Sequence, residues 1–131
     1  MAMPAIVKDM FSRPDTTKIL VTADANGQPH AIVCGSIFVP DDETLAVGEV
    51  FMKVTKENLQ NNPKAAVTVA FGAEAYNISV SVVERSTEGD LLNALNEKLS
   101  KVNLEARAVW VFRVEAVYDE GINPNAGKLI S

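Results

Sequence analysis

The stretch Leu45-Ala46-Val47-Gly48-Glu49-Val50-Phe51-Met52-Lys53-Val54-Thr55-Lys56-Glu57-Asn58-Leu59-Gln60-Asn61-Asn62-Pro63-Lys64-Ala65-Ala66-Val67 reads as a strand, a glycine-containing loop, a short helix and a second strand. Thr55 suits the N-cap, with Val54 and Leu59 at the positions of a hydrophobic staple. The helix is expected from Lys56 to about Asn62, and Pro63 stops it. So short a helix needs packing to hold it. The first-turn N–H groups of a helix lack intrahelical partners, and its dipole favours negative charge. A loop feeding such a helix is therefore a place for a phosphate.

Outward from this segment the pattern is strands and turns. Thr16 to Ala23 is rich in β-branched residues and reads as a strand. Asp24-Ala25-Asn26-Gly27-Gln28-Pro29 is a turn, because Asn-Gly supplies positive φ angles. His30 to Val39 is the returning strand, and Thr44 to Val47 a third after the Pro40-to-Glu43 turn. Lys64 to Phe71 is a fourth. Tyr76, Ile78, Val80 and Val82 alternate with Asn77, Ser79 and Ser81 in a fifth with one wet face.

Ser86 or Thr87 is expected to cap a helix of about four turns, with Leu91, Leu95, Leu99 and Val102 as its buried stripe. A sixth strand, Arg107 to Tyr118, places Ala108, Trp110, Phe112, Val114, Ala116 and Tyr118 on one face. Ala5 to Phe11 is a short helix with Ile6, Val7, Met10 and Phe11 on one side, and residues 121–131 form an extended tail. Six strands joined mostly by short turns predict a mainly β protein, a small antiparallel barrel that closes its edges. The alternative is an open α+β sandwich with the long helix on one face.

The 131 residues fit one domain, with a core over about 16–118, and suffice for a hydrophobic core without staples. A net charge of −5 and the lack of a basic run argue against nucleic-acid binding. Cys34 is the only cysteine, which excludes an intramolecular disulfide and suits a reducing compartment. Met1 to Phe11 does not read as a signal peptide, and no apolar run is long enough to span a bilayer, so the cytoplasm is expected. One histidine and one cysteine cannot close a zinc site, and no nucleophile-elbow pattern is present. The residues predict no catalytic set and no metal. No Gly-x-Gly-x-x-Gly fingerprint marks a built-in dinucleotide domain.

Asp24-x-x-Gly27-x-Pro29-His30, Val47-Gly48, Lys53-x-Thr55-x-x-Asn58-Leu59, Asn62-Pro63-x-Ala65 and Val111-Phe112-Arg113-Val114 occur in this order over Ile19 to Tyr118. In these motifs the chain resembles the FMN-binding split-barrel family related to pyridoxamine 5′-phosphate oxidase. The resemblance implies a six-stranded antiparallel Greek-key split barrel of the FMN-binding type and a homodimer with FMN at the subunit interface. It implies that Val33, Cys34, Gly35, Ser36, Val47, Gly48 and Glu49 line the flavin, with the phosphate near Lys53, Val54 and Thr55. The implied function is electron transfer or reduction of a small molecule, as an FMN-dependent oxidoreductase fed by a nicotinamide donor or a redox partner. The alternative is a non-catalytic ligand-binding module of the same fold with weak or no FMN binding. The basic and aromatic groups that mark true pyridoxamine phosphate oxidases near the C-terminus are not evident, so that specific activity is not expected. Close relatives often carry Lys where this chain has Val54, which leaves the phosphate to Lys53, backbone amides and the Thr55 hydroxyl.

Each candidate also has an ordinary reading. Thr55 can be a plain N-cap, Lys53 a solvated lysine, Val54 a staple and Ser36 a surface hydroxyl. Gly48 without a Cβ allows close approach of a ring, or simply ends a strand. Gly35 marks a bulge or a close backbone approach. Cys34 suits a small buried hydrophobe, and a carboxylate such as Glu49 near a flavin is usually incidental. His30 reads as a surface residue, and Trp110 and Phe112 as barrel or interface core.

Overall fold

The computed structural model describes residues 2–131; Met1, counted in the expected domain, lies outside the described residues. Eight strands are present: β1 (Thr17–Ala23), β2 (Pro29–Val33), β3 (Ile37–Asp41), β4 (Thr44–Gly48), β5 (Lys64–Phe71), β6 (Glu74–Ser86), β7 (Val109–Asp119) and β8 (Lys128–Leu129). The helices are α1 (Ala5–Ser12), α2 (Lys53–Asn61) and α3 (Asp90–Leu99), the last followed by a 3₁₀ turn at Ser100–Val102. The ladders are antiparallel in the order β2-β1-β5-β6-β7-β4-β3, with β8 added to β7.

This order forces the sheet to roll. Seven flat strands would put β2 and β3 about 29 Å apart at the usual strand spacing. The chain from Val33 to Ile37 reaches about 14 Å at most. Only a curved sheet lets Cys34-Gly35-Ser36 join its two ends, and no ladder joins β2 to β3 among the described residues. The result is a barrel split at that seam, as the motifs implied. Leu20, Leu45, Val47, Val67, Val69, Ile78, Val80, Phe112, Val114 and Val117 fill it, each buried. Every such side chain taken from water contributes about 1.5–3 kcal/mol.

The strand count differs from six for two reasons. The expected His30–Val39 strand is really β2 and β3, because the chain leaves one end of the sheet at Cys34 and enters the other at Ile37. The tail is not simply extended: turns over 123–127 return it to pair as β8, with Tyr118 opposite Leu129. The single apolar face expected on the last strand also changes sides. Ser79 pairs with Ala116 but Val80 with Val114, so Glu115 is an extra residue. Beyond this bulge Val117 points into the core and Ala116 and Tyr118 are only half-buried. In the first hairpin, Gly27 alone has positive φ (+84°), and the Asp24 carboxylate accepts from the N–H groups of Asn26 and Gln28.

The helices shift too. β6 stays paired with β7 through Ser86, so α3 begins only at Asp90 with Gly89 (φ +109°) as N-cap, not Ser86 or Thr87. Its buried residues are Leu92 and Leu95, which cover Ala46, Ala106 and Val109 outside the barrel; Leu91 and Leu99 are half-buried and Val102 is exposed. In α1, Val7, Met10 and Phe11 are buried, while Ile6 faces solvent.

Candidate functional site

Residues 48–56 connect β4 to α2 at the open seam. α2 starts at Lys53, three residues before the expected first residue, with Met52 (7% exposed) in the N-cap position. Burial of the Met52 side chain in the core fixes where the helix begins. Thr55 is therefore in the first turn rather than the cap. Its hydroxyl is buried by the chain's own atoms and has no hydrogen-bond partner. The staple is also absent: Val54 is exposed, and Leu59 joins the core. No side chain caps α2, and its first bond runs from the Lys56 N–H to the Met52 carbonyl. The N–H groups of Lys53, Val54 and Thr55 thus lack intrahelical acceptors.

Two clefts meet at Val50-Phe51-Met52. The first, about 400 Å³, is lined by Ile32, Val33, Cys34, Gly35, Ser36 and Gly48 on one side and by Leu99, Val102 and Leu104 on the other. Its lining side chains are apolar apart from Ser36, whose hydroxyl donates to the Gly48 carbonyl at 3.0 Å. Burial raises the Cys34 thiol above its ordinary range, so it stays protonated and behaves as a small apolar group. The second cleft, about 580 Å³, is lined by Glu49, Lys53, Lys56 and Arg107. Three cations gather there in a chain of net charge −5, beside the uncapped end of α2.

Glu49 is the buried charge between the clefts. Its carboxylate accepts from Arg85 through two bonds of 2.9 Å and from the Trp110 indole N–H at 2.9 Å. The Arg85 bonds, followed by that from Trp110, hold its carboxyl below the ordinary carboxylate range despite desolvation. The same pairing raises the Arg85 guanidinium. Arg85 also lies over the Trp110 ring, 5.8 Å from its centroid.

The sequence candidates thus divide. Val33, Cys34, Gly35, Ser36 and Gly48 line the apolar cleft, and Glu49 and Lys53 the cationic one. Val47 is fully buried in the barrel. Val54 and Thr55 line neither cleft. At Gly48 the close approach comes from within the chain: a Cβ would meet Leu95 Cδ2 at 2.5 Å. Its missing side chain leaves room for the Leu95 methyl from α3. Arg85, Arg107, Lys56 and the Leu99–Leu104 wall are additions that sequence reasoning missed. Arg107 reaches the site because its N–H donates to the Glu49 carbonyl, a pairing across 58 residues that no local spacing signals.

A sequence profile of pyridoxamine 5′-phosphate oxidase matches residues 7–121. The chain belongs to that family. It is similar to an uncharacterized protein of Methanocaldococcus jannaschii, 29% identical over 116 residues that cover 86% of this chain and 78% of the other. HupZ of Group A Streptococcus has a similar fold, with a TM-score of 0.79 at 24% identity over 95% of this chain and 99% of that chain. An FMN-binding protein from Syntrophomonas wolfei also scores 0.79, at 16% identity over 88% of this chain and 84% of that chain.

The residues of this pyridoxamine 5′-phosphate oxidase family member fit FMN in kind. An apolar cleft suits a flat ring system, and an adjoining cleft with three cations and the unpaired Lys53 N–H suits a phosphate. The Thr55 hydroxyl does not fit as a phosphate ligand, being enclosed by its own chain. Val33, Phe51 and Val102, exposed by 77%, 86% and 63%, rim the apolar cleft and leave it open on one side. Among the described residues no helix is long and apolar enough to cross a membrane, and no cluster of three or more His, Cys, Asp or Glu residues could hold a metal.

Proposed function

We propose that this chain binds FMN as a homodimer and serves in electron transfer or the reduction of a small molecule. The observation that carries this reading is the joining of an apolar and a cationic cleft along Val50-Phe51-Met52. The isoalloxazine would lie against Val33–Ser36 and Leu99–Leu104. The phosphate would be held by Lys53, through its side chain and its unpaired N–H at the start of α2, and by Arg107. The FMN-binding Syntrophomonas protein, similar in fold, supports the choice of ligand.

Bound FMN supplies the capacity to take up and release a hydride or single electrons. The chain's own residues bind and orient it. Val33, Phe51 and Val102 shed water against a second copy of the chain, which would cover the open side of the cleft. A nicotinamide donor or a redox partner would deliver electrons, and a cytoplasmic setting suits the free Cys34 thiol.

Titration of FMN into the purified chain, followed by flavin fluorescence, tests the reading. Lys53→Ala/Arg107→Ala removes two charge-assisted contacts, so it should weaken FMN about a hundredfold or more and leave riboflavin unaffected. Equal FMN affinity in both proteins would remove the phosphate from this cleft. A wild-type chain that binds no FMN would support the non-catalytic alternative. Sizing chromatography checks the dimer: a strict monomer would leave the cleft half-built.

A further inference from the structure

Three of the roughly four acceptor sites of the Glu49 carboxylate are taken within the chain. Its Oε1 accepts from Arg85 Nε and Trp110 Nε1, and its Oε2 accepts from Arg85 Nη2, each at 2.9 Å. Lys56 Nζ is 3.9 Å from Oε2. The residue is 4% exposed. Its backbone is held as firmly: the N–H donates to the Ala108 carbonyl, and the carbonyl accepts from the Arg107 N–H, both at 2.9 Å. The next three residues, Val50-Phe51-Met52, line both clefts and belong to no ladder or helix.

We propose that Glu49, clamped by Arg85 and Trp110, is a positioning residue that holds the 50–52 segment in the shape both clefts require. The clamp ties the end of β4 to β6 through Arg85 and to β7 through Trp110. It anchors the segment from behind while Met52 anchors it in front. Its effect on a flavin rests on the FMN reading above; its effect on the segment does not.

Charge and position predict opposite results for Glu49→Gln. As a charge, Glu49 opposes an anion and occupies Arg85 and Lys56. Its removal would then tighten FMN and leave riboflavin, which has no phosphate, unchanged. As a clamp, it shapes the walls for the whole ligand, and its loss weakens FMN and riboflavin by the same factor. We expect about tenfold for both, the worth of about one hydrogen bond. Amide exchange in the flavin-free protein gives a separate readout. Exchange of the Glu49, Lys56 and Arg107 amides, which donate to the Ala108, Met52 and Glu49 carbonyls at the two ends of the segment, should rise in Glu49→Gln, while Val67 and Ile78 in the β5–β6 ladder stay protected. Trp110→Phe removes one donor and keeps the ring, so it should give a smaller rise at the same amides.

Tighter FMN with unchanged riboflavin would overturn the clamp in favour of a charge role. Unchanged exchange at the Glu49, Lys56 and Arg107 amides in both variants would overturn it too, as would raised exchange with both affinities intact. If the wild type binds neither flavin, the FMN reading fails, and the exchange comparison still decides the clamp.

Discussion

The β5–β6 hairpin and the Glu49–Thr55 segment share one barrel and are held by opposite means. The hairpin pairs eight residues without interruption, from Lys64 opposite Ser81 to Phe71 opposite Glu74, around a tight turn where Gly72 takes φ +58°. Its partners are neighbours in sequence, and alternation sends Val67, Val69, Ile78 and Val80 inward. The Glu49–Thr55 segment has no ladder after β4. It is fixed by Arg85, 36 residues on, and by Trp110, 61 residues on. A ladder is redundant, since each bond is backed by the next. The site segment depends on a few long-range bonds, so single substitutions should act there on binding and in the barrel on stability.

Phe112→Ala should break the barrel side of this contrast hardest. Phe112 is fully buried, and such truncations cost about 3–5 kcal/mol. Urea unfolding should show the loss as a lower midpoint with a similar slope. Acid comes next and acts on the site side. The folded Glu49 carboxyl is depressed chiefly by its Arg85 bonds, so its stabilisation is complete above the unfolded value of about 4.3. That stabilisation fades as pH falls through the depressed folded value. Between pH 5 and pH 3, wild type should therefore lose more stability than Glu49→Gln, and parallel curves would deny the pair that role.

Asn58→Ala should cost about 1–2 kcal/mol. The Asn58 side chain donates to Thr22 Oγ1 at 3.0 Å, both residues buried, and ties α2 to β1. The smallest effect sharpens the contrast most. Thr55→Val replaces a buried hydroxyl that has no partner with a methyl of similar shape. It should raise the thermal midpoint modestly, by up to about 1 kcal/mol of stability. A fall in stability would show that the hydroxyl has found a partner.

Legibility in the sequence followed the same division. β5 has the bounds that alternation predicts, Lys64 to Phe71, and β1 differs by one residue at its start. Gly35 was readable as an interruption. That the chain there crosses from one end of the sheet to the other was not, because β3 pairs with β4 while β2 pairs with β1. The bulge at Glu115 escaped notice because both faces of β7 read alike until its partner's register is known. Thr55 looked like a cap because threonine favours that position; burial of Met52 set the helix start instead. Gly48 and Lys53, which line the clefts, were singled out from two ordered motifs. Arg85 and Arg107 were not, since nothing near them in the chain marks them.

Periodicity, turn residues and the ordered motifs were enough to read a mainly β barrel and its family. Those features are local, and side-chain alternation and backbone conformation act over a few residues. Which charges converge on the clefts, which hydroxyl is sealed away and why Gly48 lacks a side chain were decided only when distant strands came into register. Hydrogen bonds and packing act over a few ångströms in space, whatever the distance along the chain.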